Sequence, residues 1–324
     1  MRRRDLIILL LGGAALSPHQ VRAEQRLIGF LSAGSADAYA PFVAAFREAL
    51  AAAGYVEGRN LVIEFRWAEG HYDRLPELAA DLVRSGVEVI ATSGGDIVVG
   101  AAKAATAATP IVFISGGDPV ARGFVPSLAR PGGNMTGVSL LVIELVPKRL
   151  EFMHDLVPGA AVIAGLVNPK NSNAARNVAA LQEAARTKGV QLHIVEASSA
   201  DDFETAFAGL ASLRAGALVV GADPFFNARR SQIVALAASH SMPAIYEWRE
   251  FVDAGGLISY GPSLPGVYRQ SGAYVARILS GEKPADLPVV QPTLFELVVN
   301  LKTAKTLGLA VPPPIIDRPD EVIE

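Results

Sequence analysis

The sequence contains no cysteine among its 324 residues, which excludes disulfides, thiolate metal sites, a cysteine nucleophile and a lipid-modified N-terminal cysteine. Aromatic residues are scarce at 7%, and small aliphatic residues dominate, which favours alternating strands and helices over an all-β sandwich. The net charge is −3, without a basic block beyond the N-terminus, which argues against a nucleic-acid-binding protein. Apolar residues reach 51%, so the chain can bury a sizeable core and is not globally disordered.

Motifs that supply catalytic groups are also missing. The sequence has no G-x-S-x-G nucleophile elbow, no G-x-x-x-x-G-K-[ST] phosphate loop and no G-x-G-x-x-G after its first predicted strand. Asp118, beside Pro119, could act as a catalytic carboxylate, but capping a turn before proline explains it equally well. The histidines beyond the N-terminal segment lack metal-ligand spacing: His71, His154, His193 and His240. We therefore expect a binding protein, not an enzyme, without cofactor or metal ion.

The N-terminus has the pattern of an export signal. Three arginines at positions 2–4 precede an apolar stretch over residues 6–16, and Val21 and Ala23 stand at the −3 and −1 positions of a cleavage site. The pattern predicts a signal peptide over residues 1–23 and a periplasmic protein, with an uncleaved anchor as the alternative. The paired arginines are compatible with the twin-arginine route. Cleavage after Ala23 would leave a chain with a net charge of −6.

Strand and helix signals alternate along the rest of the chain. Strands are predicted near residues 26–31, 60–67, 87–91 and 110–114, then at 161–167, 190–195, 217–220, 244–246 and 257–260. A Gly/Pro-rich link over residues 130–134 precedes the second series. Short strands linked by helices pair in parallel and need helices on both faces. The sequence therefore predicts an α/β fold of two doubly wound parallel-sheet lobes.

Polar and glycine residues follow many of the predicted strands. In doubly wound sheets, ligands bind outside the carboxyl ends of the strands, so these residues are the candidates for a ligand-facing rim. Ordinary turns prefer the same residue types, and this alternative stays open for each loop. The candidates are Ser32, Gly34, Ser35, residues 92–96, residues 115–118, Asn168, Asp223, Glu247, Tyr260 and Gly261.

Several long stretches are similar to a known family. They are SLARPGGNMTG at residues 127–137 with the DPV at 118–120, YEWREF at 246–251 with the GGL at 255–257, FELVVNLKTAK at 295–305, and the closing DEVIE at 320–324. The chain resembles the exported substrate-binding proteins of ABC transporters, in the branch that includes tryptophan- and tyrosine-type binding components. The similarity covers nearly the whole mature chain.

The resemblance implies a type I periplasmic binding protein, with two lobes joined by a three-segment hinge that crosses near residues 134–140, 261–264 and 288–294. Lobe 1 would comprise residues 24–137 and about 263–290, and lobe 2 residues 138–262 and about 291–324. Such a protein, expected to be a monomer, carries a small polar or aromatic solute, an amino acid or a related compound, to a membrane permease. A periplasmic sensory module that presents its ligand to a membrane receptor is the alternative.

The resemblance also suggests the ligand-binding residues. Ser32, Ser35, Ser93, Gly94 and Gly95 would offer hydroxyl and N–H groups to a carboxylate, the last three at a helix N-terminus. From the second lobe, Asn168 and Asp223 would face the cleft, and Asp223 could pair with an ammonium group. Tyr246 and Tyr260 would be aromatic walls, although core packing is an equal alternative. Asp118 completes the set with Asp96.

Asp96 departs from the family, whose members often have Thr-Pro where this chain has Asp96-Ile97. An aspartate here either caps the helix and points away or faces the cleft. In the cleft it would repel the carboxylate of an amino acid, because like charges in one site repel. This leads to the hypothesis that the ligand is not a plain α-amino acid.

Overall fold

The computed structural model describes residues 25–316 and 320–323. The predicted signal peptide, residues 1–23, lies outside these residues. Within the described ranges, no helix has both the length and the apolarity needed to cross a membrane. The chain forms two α/β lobes, each built on its own sheet.

The sheet of the first lobe has five strands that are all parallel. They are β1 (Arg26–Ser32), β2 (Leu61–Trp67), β3 (Val89–Ser93), β4 (Ile111–Ser115) and β5 (Met135–Ser139). Their spatial order is β2-β1-β3-β4-β5, so the chain winds in both directions from β1. The central strands β3 and β4 are buried along their whole length, and their sequences are mainly apolar, as central parallel strands require.

Helices cover both faces of this first sheet. Those that follow its strands are α1 (Ala36–Ala52), α2 (Leu75–Arg84) and α3 (Asp96–Ala105). On one face, Phe46 of α1 packs edge-on against Phe30 of β1, with ring centroids 5.4 Å apart. On the other face, Leu82 of α2 and Val98 of α3 share a core with Leu31. Alternate residues of β1 thus enter opposite cores, which is the period-two pattern of a strand.

The sheet of the second lobe has seven strands in the described ranges. They are β6 (Val162–Val167), β7 (Gln191–Glu196), β8 (Ala217–Val220), β9 (Ala244–Tyr246), β10 (Ile258–Pro262), β11 (Phe295–Asn300) and β12 (Glu321–Ile323). Their order is β12-β11-β10-β9-β8-β6-β7. The five strands predicted for this lobe pair in parallel, which confirms the predicted fold class, and the unpredicted strand β11 pairs antiparallel with β10. The chain reaches β11 after an excursion through the first lobe, so no right-handed crossover ties its direction to that of β10.

The remaining helices follow β5 along the chain. They are α4 (Val146–Leu156), α5 (Ala174–Lys188), α6 (Ala200–Ser212), α7 (Pro224–Ala228), α8 (Arg230–Ser239), α9 (Arg249–Asp253), α10 (Leu264–Leu279), α11 (Leu301–Thr306) and α12 (Pro313–Ile316). Leu150 of α4 and Leu181 of α5 pack on one face of the second sheet. Phe203 of α6 and Ile233 of α8 pack on the other face.

Helix α10 returns to the first lobe and packs along α1. Gly272 permits this approach, because a Cβ at that position would lie 2.5 Å from the carbonyl oxygen of Phe46. After α10, Val290 donates its N–H to the carbonyl of Gly137 at 2.9 Å and accepts one from Ser139 at 2.9 Å. The chain therefore passes between the lobes after β5, between β10 and α10, and between Val290 and β11.

The nine strands predicted from the sequence are all present, with bounds shifted by at most two residues. Three further strands were not predicted. Strand β5 has the sequence MTGVS, and an internal glycine is typical of turns. Strand β12 has three residues, too few to show an alternating pattern. Strand β11 leads directly into α11, so its apolar residues continue into the helix and no break in the sequence pattern marks the end of the strand.

Candidate functional site

A cavity that is partly open to solvent lies between the two lobes. Both lobes contribute to it through residues that follow their strands, which is where doubly wound sheets bind ligands. Its polar side chains are Asp96, Asn171, Asn173, Asp223, Asn227 and Glu247. Its apolar and aromatic walls include Tyr39, Ile97, Leu140, Val142, Trp248 and Tyr268. The lining thus combines an apolar body with three carboxylates, and it includes no lysine, arginine or histidine from the described residues.

Asp96 enters the cavity from the first lobe, at the first turn of α3. The N-cap of that helix is Gly95, whose φ of 84° suits glycine, so Asp96 does not cap the helix. Its carboxylate accepts hydrogen bonds from the hydroxyl of Ser115 at 2.6 Å and the N–H of Gly116 at 3.0 Å. Arg122 Nε lies 3.4 Å from the second carboxylate oxygen and supplies a matching positive charge.

Asp223 enters the cavity from the second lobe and caps α7. Its carboxylate accepts hydrogen bonds from the N–H groups of Phe225 at 2.9 Å and Phe226 at 3.2 Å. The side-chain amides of Asn168 and Asn171 donate to it at 3.2 and 2.7 Å. Burial raises the pKa of Asp223 above its ordinary value, although these donors oppose the shift. The donors explain how a carboxylate with 6% exposure is accommodated.

A reciprocal pair of hydrogen bonds joins the lobes across the cavity. The amide of Asn173, in the second lobe, donates to Asp96 of the first lobe at 3.0 Å. The hydroxyl of Tyr72, in the first lobe, donates to Asp223 of the second lobe at 3.1 Å. Each lobe therefore supplies one carboxylate and one donor, and the protein itself makes direct contacts that favour the closed arrangement.

Glu247 follows β9 and is buried, with 3% exposure. Neither of its carboxylate oxygens has a hydrogen-bond partner in the described part of the chain. Arg149 Nη1 lies 3.6 Å from one oxygen, while Nη2 of the same arginine donates to the carbonyl of Val142. Burial raises the pKa of Glu247 to about 8, and Arg149 opposes this shift. Glu247 is therefore a buried acid whose nearest positive charge is Arg149.

Aromatic side chains form much of the apolar wall. The hydroxyl of Tyr268, on α10, is hydrogen-bonded to that of Ser93 at the end of β3, which holds the ring in place. Tyr39 of α1 packs edge-on against Phe42, with centroids 5.5 Å apart. Burial raises the pKa of both Tyr39 and Tyr268, so their hydroxyl groups stay neutral. Trp248, next to Glu247, completes a surface suited to an apolar or aromatic ligand body.

Among the described residues, no group of three or more histidine, cysteine, aspartate or glutamate side chains could hold a metal ion. A family model described as "ABC transporter substrate binding protein" matches residues 28–323. The chain belongs to this family. As members of an ABC importer, such substrate-binding proteins act outside the cytoplasmic membrane.

Two relatives are similar to this chain over most of its length. The "Tyrosine-binding protein" of Clostridioides difficile strain R20291 is 26% identical over 267 residues, which span 82% of this chain and 75% of that protein. The structure of a conserved domain protein from Vibrio cholerae O1 biovar El Tor has a TM-score of 0.85 at 25% identity, covering 92% of this chain and all of that one. The fold is thus shared over nearly the whole described chain.

Two further structures have the same fold. An ABC domain from Streptococcus pneumoniae in complex with L-Trp has a TM-score of 0.83 at 23% identity, covering 93% of this chain and all of that one. A ligand-free, open substrate-binding protein from Clostridium difficile has a TM-score of 0.65 at 24% identity, covering 92% of this chain and 99% of that one. Both similarities in fold extend over nearly the whole chain.

The structure brings four of the predicted site residues to the cavity wall, namely Gly94, Gly95, Asp96 and Asp223. Others lie behind it in supporting roles. Ser32 accepts the N–H of Gly34, and Asn168 holds Asp223. Ser93 orients Tyr268.

Four predicted residues lie away from the cavity. Ser35 is the N-cap residue of α1. Asp118 accepts the N–H of Val120 at 2.8 Å, which is the turn-capping alternative. Tyr246 stacks on Phe251 in the second lobe, and Tyr260 packs edge-on against Phe152, so both tyrosines take the core-packing alternative.

Of the two possibilities considered for Asp96, the helix cap is wrong, because Gly95 is the N-cap residue of α3, and Asp96 lies on the cavity wall. Protein groups donate hydrogen bonds to its carboxylate, and Arg122 Nε lies 3.4 Å from it. The repulsion that argued against a plain α-amino acid is therefore compensated within the first lobe.

Sequence reasoning missed several lining residues. Glu247 was among the residues that follow predicted strands, but nothing in the sequence separated it from ordinary turn residues. Tyr39 and Tyr268 lie on helices whose apolar stripes look like any core-facing surface. Asn173 becomes a cavity residue only because the closed lobes bring it to Asp96.

Proposed function

We propose that this protein is the exported solute-binding component of an ABC importer, and that it closes around a small organic solute with an apolar or aromatic body. The observation that carries the proposal is one cavity, lined by both lobes, with direct hydrogen bonds between the lobes at its edge. A solute that contacts both walls stabilises the closed form more than the open one, and this differential affinity drives closure. A membrane permease would then recognise the closed form.

An amino acid or related compound is the proposed class of solute. The first turn of α3 supports it, because the first N–H groups of a helix have no partner within the helix and favour an anion. Gly94 and Gly95 line the cavity beside this turn, and a Cβ on Gly95 would meet no atom within 4 Å. A ligand carboxylate could therefore approach the backbone. The L-Trp complex and the "Tyrosine-binding protein" name ligands of this class.

The finer points of the proposal follow from this role. The protein would act in the periplasm as a monomer, and it would release its solute unchanged. The proposed lobe 1 comprises residues 24–137 and about 263–290, and lobe 2 residues 138–262 and about 291–324. Support comes from the packing of α10 on α1 and the pairing of β11 with β10, while β5 runs two residues past the first boundary.

The test is native mass spectrometry of the exported protein after gentle purification, followed by denaturation and identification of any small molecule released. We expect one solute per chain, released chemically unchanged, and a thermal stabilisation when it is added back. Gly95→Leu should abolish this binding by filling the cavity. Gly281→Leu is the matched control, since Gly281 also has positive φ and open space around its Cβ but lies outside the cavity lining.

A wild-type protein that neither carries nor is stabilised by any compound in a broad solute library would contradict the proposed function. Equal binding by Gly95→Leu and the wild type would place the solute elsewhere.

A further inference from the structure

The first of the three crossings between the lobes contains a residue in the left-handed region of backbone conformation. Leu141 has a φ of 57°, which residues other than glycine rarely adopt, because their Cβ then approaches a carbonyl oxygen. Among the described residues, four that are not glycine have a positive φ, and of these only Leu141 lies at a crossing. Such a conformation costs free energy and persists only where surrounding contacts hold it.

The first lobe holds the backbone on both sides of Leu141. The N–H of Leu140 donates to the carbonyl of Ser115 at 2.8 Å. The N–H of Val142 donates to the carbonyl of Gly116 at 3.2 Å. Ser115 and Gly116 also donate to the carboxylate on the first-lobe wall of the cavity, so the crossing is attached directly to that wall.

The second lobe holds the same backbone from the other side. The carbonyl of Leu141 accepts the N–H of Leu145, just before α4, at 3.2 Å. The carbonyl of Val142 accepts a hydrogen bond from Nη2 of Arg149, a buried residue of α4. Nη1 of this arginine lies 3.6 Å from Glu247 on the second-lobe wall. Leu141 is therefore the residue at which the attachments of the two lobes meet.

The other two crossings differ from the first because they contain proline. Pro262 ends β10, and Pro292 follows Val290. The proline ring fixes φ near −65°, which limits the rotation that these segments can absorb. Residues 140–145, between β5 and α4, include no proline. A rotation of one lobe relative to the other is therefore absorbed most readily at Leu141.

We propose that Leu141 is the joint on which the lobes close, and that its left-handed conformation belongs to the closed form, so that this residue sets the ligand affinity without touching the ligand. The inference rests on the proposed function, because it requires closure around a solute. Leu141 does not line the cavity. In the open form its φ returns to negative values, and the strain is a cost of closure that the ligand contacts must offset.

The test compares Leu141→Gly with Leu141→Ala. Alanine removes the side chain but keeps Cβ and hence the strain, whereas glycine removes both, so the difference between the variants isolates the strain. We expect Leu141→Gly to bind L-tyrosine and L-tryptophan about fivefold more tightly than Leu141→Ala in calorimetric titrations of the exported protein. A role in packing alone would not make glycine the tighter binder.

Distances between two spin labels measure the ratio of closed to open protein without any ligand. Because the chain has no cysteine, Asp37→Cys and Asp201→Cys would supply unique labelling sites at the exposed first turns of α1 and α6. Leu141→Gly should raise this ratio about fivefold over Leu141→Ala. Leu141→Ile, which is branched at Cβ, should lower it below the wild-type value. The opposite signs make a shift measurable whichever form predominates.

Arg214→Gly and Arg214→Ala are the matched control pair. Arg214 has a φ of 52° and is exposed between α6 and β8, within the second lobe. Glycine relieves the same kind of strain there, so Arg214→Gly should resist urea better than Arg214→Ala. The two should have equal ligand affinities and equal label distances, because this strain is present in both the open and the closed form.

The outcomes separate the inference from the proposed function. Equal affinities and equal closed-to-open ratios for Leu141→Gly and Leu141→Ala, or weaker binding by the glycine variant, overturn the inference while the solute-binding role stands. A difference in affinity between the two Arg214 variants also overturns it. A wild type that binds no compound contradicts the proposed function, and the label distances still decide the role of Leu141.

Discussion

Asp96 and Glu247 reach the same cavity from opposite lobes and are almost equally buried, at 2% and 3% exposure. Their surroundings differ. Asp96 accepts hydrogen bonds from Ser115, Gly116 and Asn173 and lies beside Arg122, whereas no described residue donates to Glu247. Burial alone therefore does not distinguish a carboxylate with a structural role from one that is available to a ligand. The number of protein groups that donate hydrogen bonds to its oxygen atoms makes this distinction.

The two walls of the cavity, one from each lobe, therefore differ in their charge and hydrogen bonding. The first-lobe wall has a compensated carboxylate, a helix N-terminus and an apolar surface. The second-lobe wall has Glu247, which lies 3.6 Å from Arg149, together with Asp223, whose donors are all neutral groups.

The strongest test of this contrast is the removal of the saturated carboxylate. Asp96→Ala should lower the free energy of unfolding by about 3 kcal/mol, because buried donors lose their acceptor and Arg122 loses its counter-charge. Urea unfolding of the exported protein measures the change. Asp118→Ala, which removes a turn cap in the same region, should cost no more than about 1 kcal/mol. Comparable losses for the two variants would mean that the donors around Asp96 do not stabilise the fold.

The next effect is expected in the pH dependence of the free energy of unfolding, which should reveal the titration of Glu247. Burial raises the pKa of Glu247 to about 8 and that of Glu250 to about 7, above their values in the unfolded chain. The folded protein therefore holds protons that the unfolded chain has released, and stability should fall as the pH rises from about 5 to 8 and level off above. The slope for one proton is at most about 1.4 kcal/mol per pH unit.

Glu247→Gln should flatten the upper part of this window. Urea unfolding at intervals from pH 5 to pH 9 measures the change. The groups that act on Glu247 are Arg149, which lowers its pKa, and Asp223 and Glu250, which raise it. A slope that Glu247→Gln leaves intact would assign the titration to Glu250 or Asp223, whose pKa values burial also raises.

A smaller effect should follow from cutting one bond between the lobes. Tyr72→Phe removes the donor to Asp223 and should shift the closed–open equilibrium by about 1 kcal/mol, or about fivefold in ligand affinity. Small-angle scattering and calorimetry measure closure and affinity. Tyr55→Phe is the control, because that hydroxyl pairs with Ser280 within the first lobe. An unchanged equilibrium in Tyr72→Phe would show that the bond contributes nothing to closure.

The smallest effect is expected at Tyr246. Its ring stacks on Phe251 with centroids 4.7 Å apart and lies outside the cavity lining. Tyr246→Phe keeps the ring and should change ligand affinity less than twofold. A larger loss would return Tyr246 to the site and would mean that the second-lobe wall extends beyond Glu247 and Trp248.

The sequence predicted most of the fold because strand and helix periodicities are local. Nine strands were predicted within two residues of their positions, and the family resemblance was confirmed over residues 28–323. The antiparallel pairing of β10 with β11 could not be predicted, since it depends on how the chain returns from the first lobe. The predicted signal peptide lies outside the described residues and stays a prediction.

For the site, the sequence by itself determined that glycine and acidic residues follow the strands, and six of them line the cavity: Gly94, Gly95, Asp96, Gly116, Asp223 and Glu247. Only the tertiary structure decided which protein groups donate hydrogen bonds to each carboxylate. Donors from the loop after β4 and from the opposite lobe converge on Asp96, and none reaches Glu247. Hydrogen bonds depend on the distance and direction between atoms far apart in the chain, which no local pattern encodes.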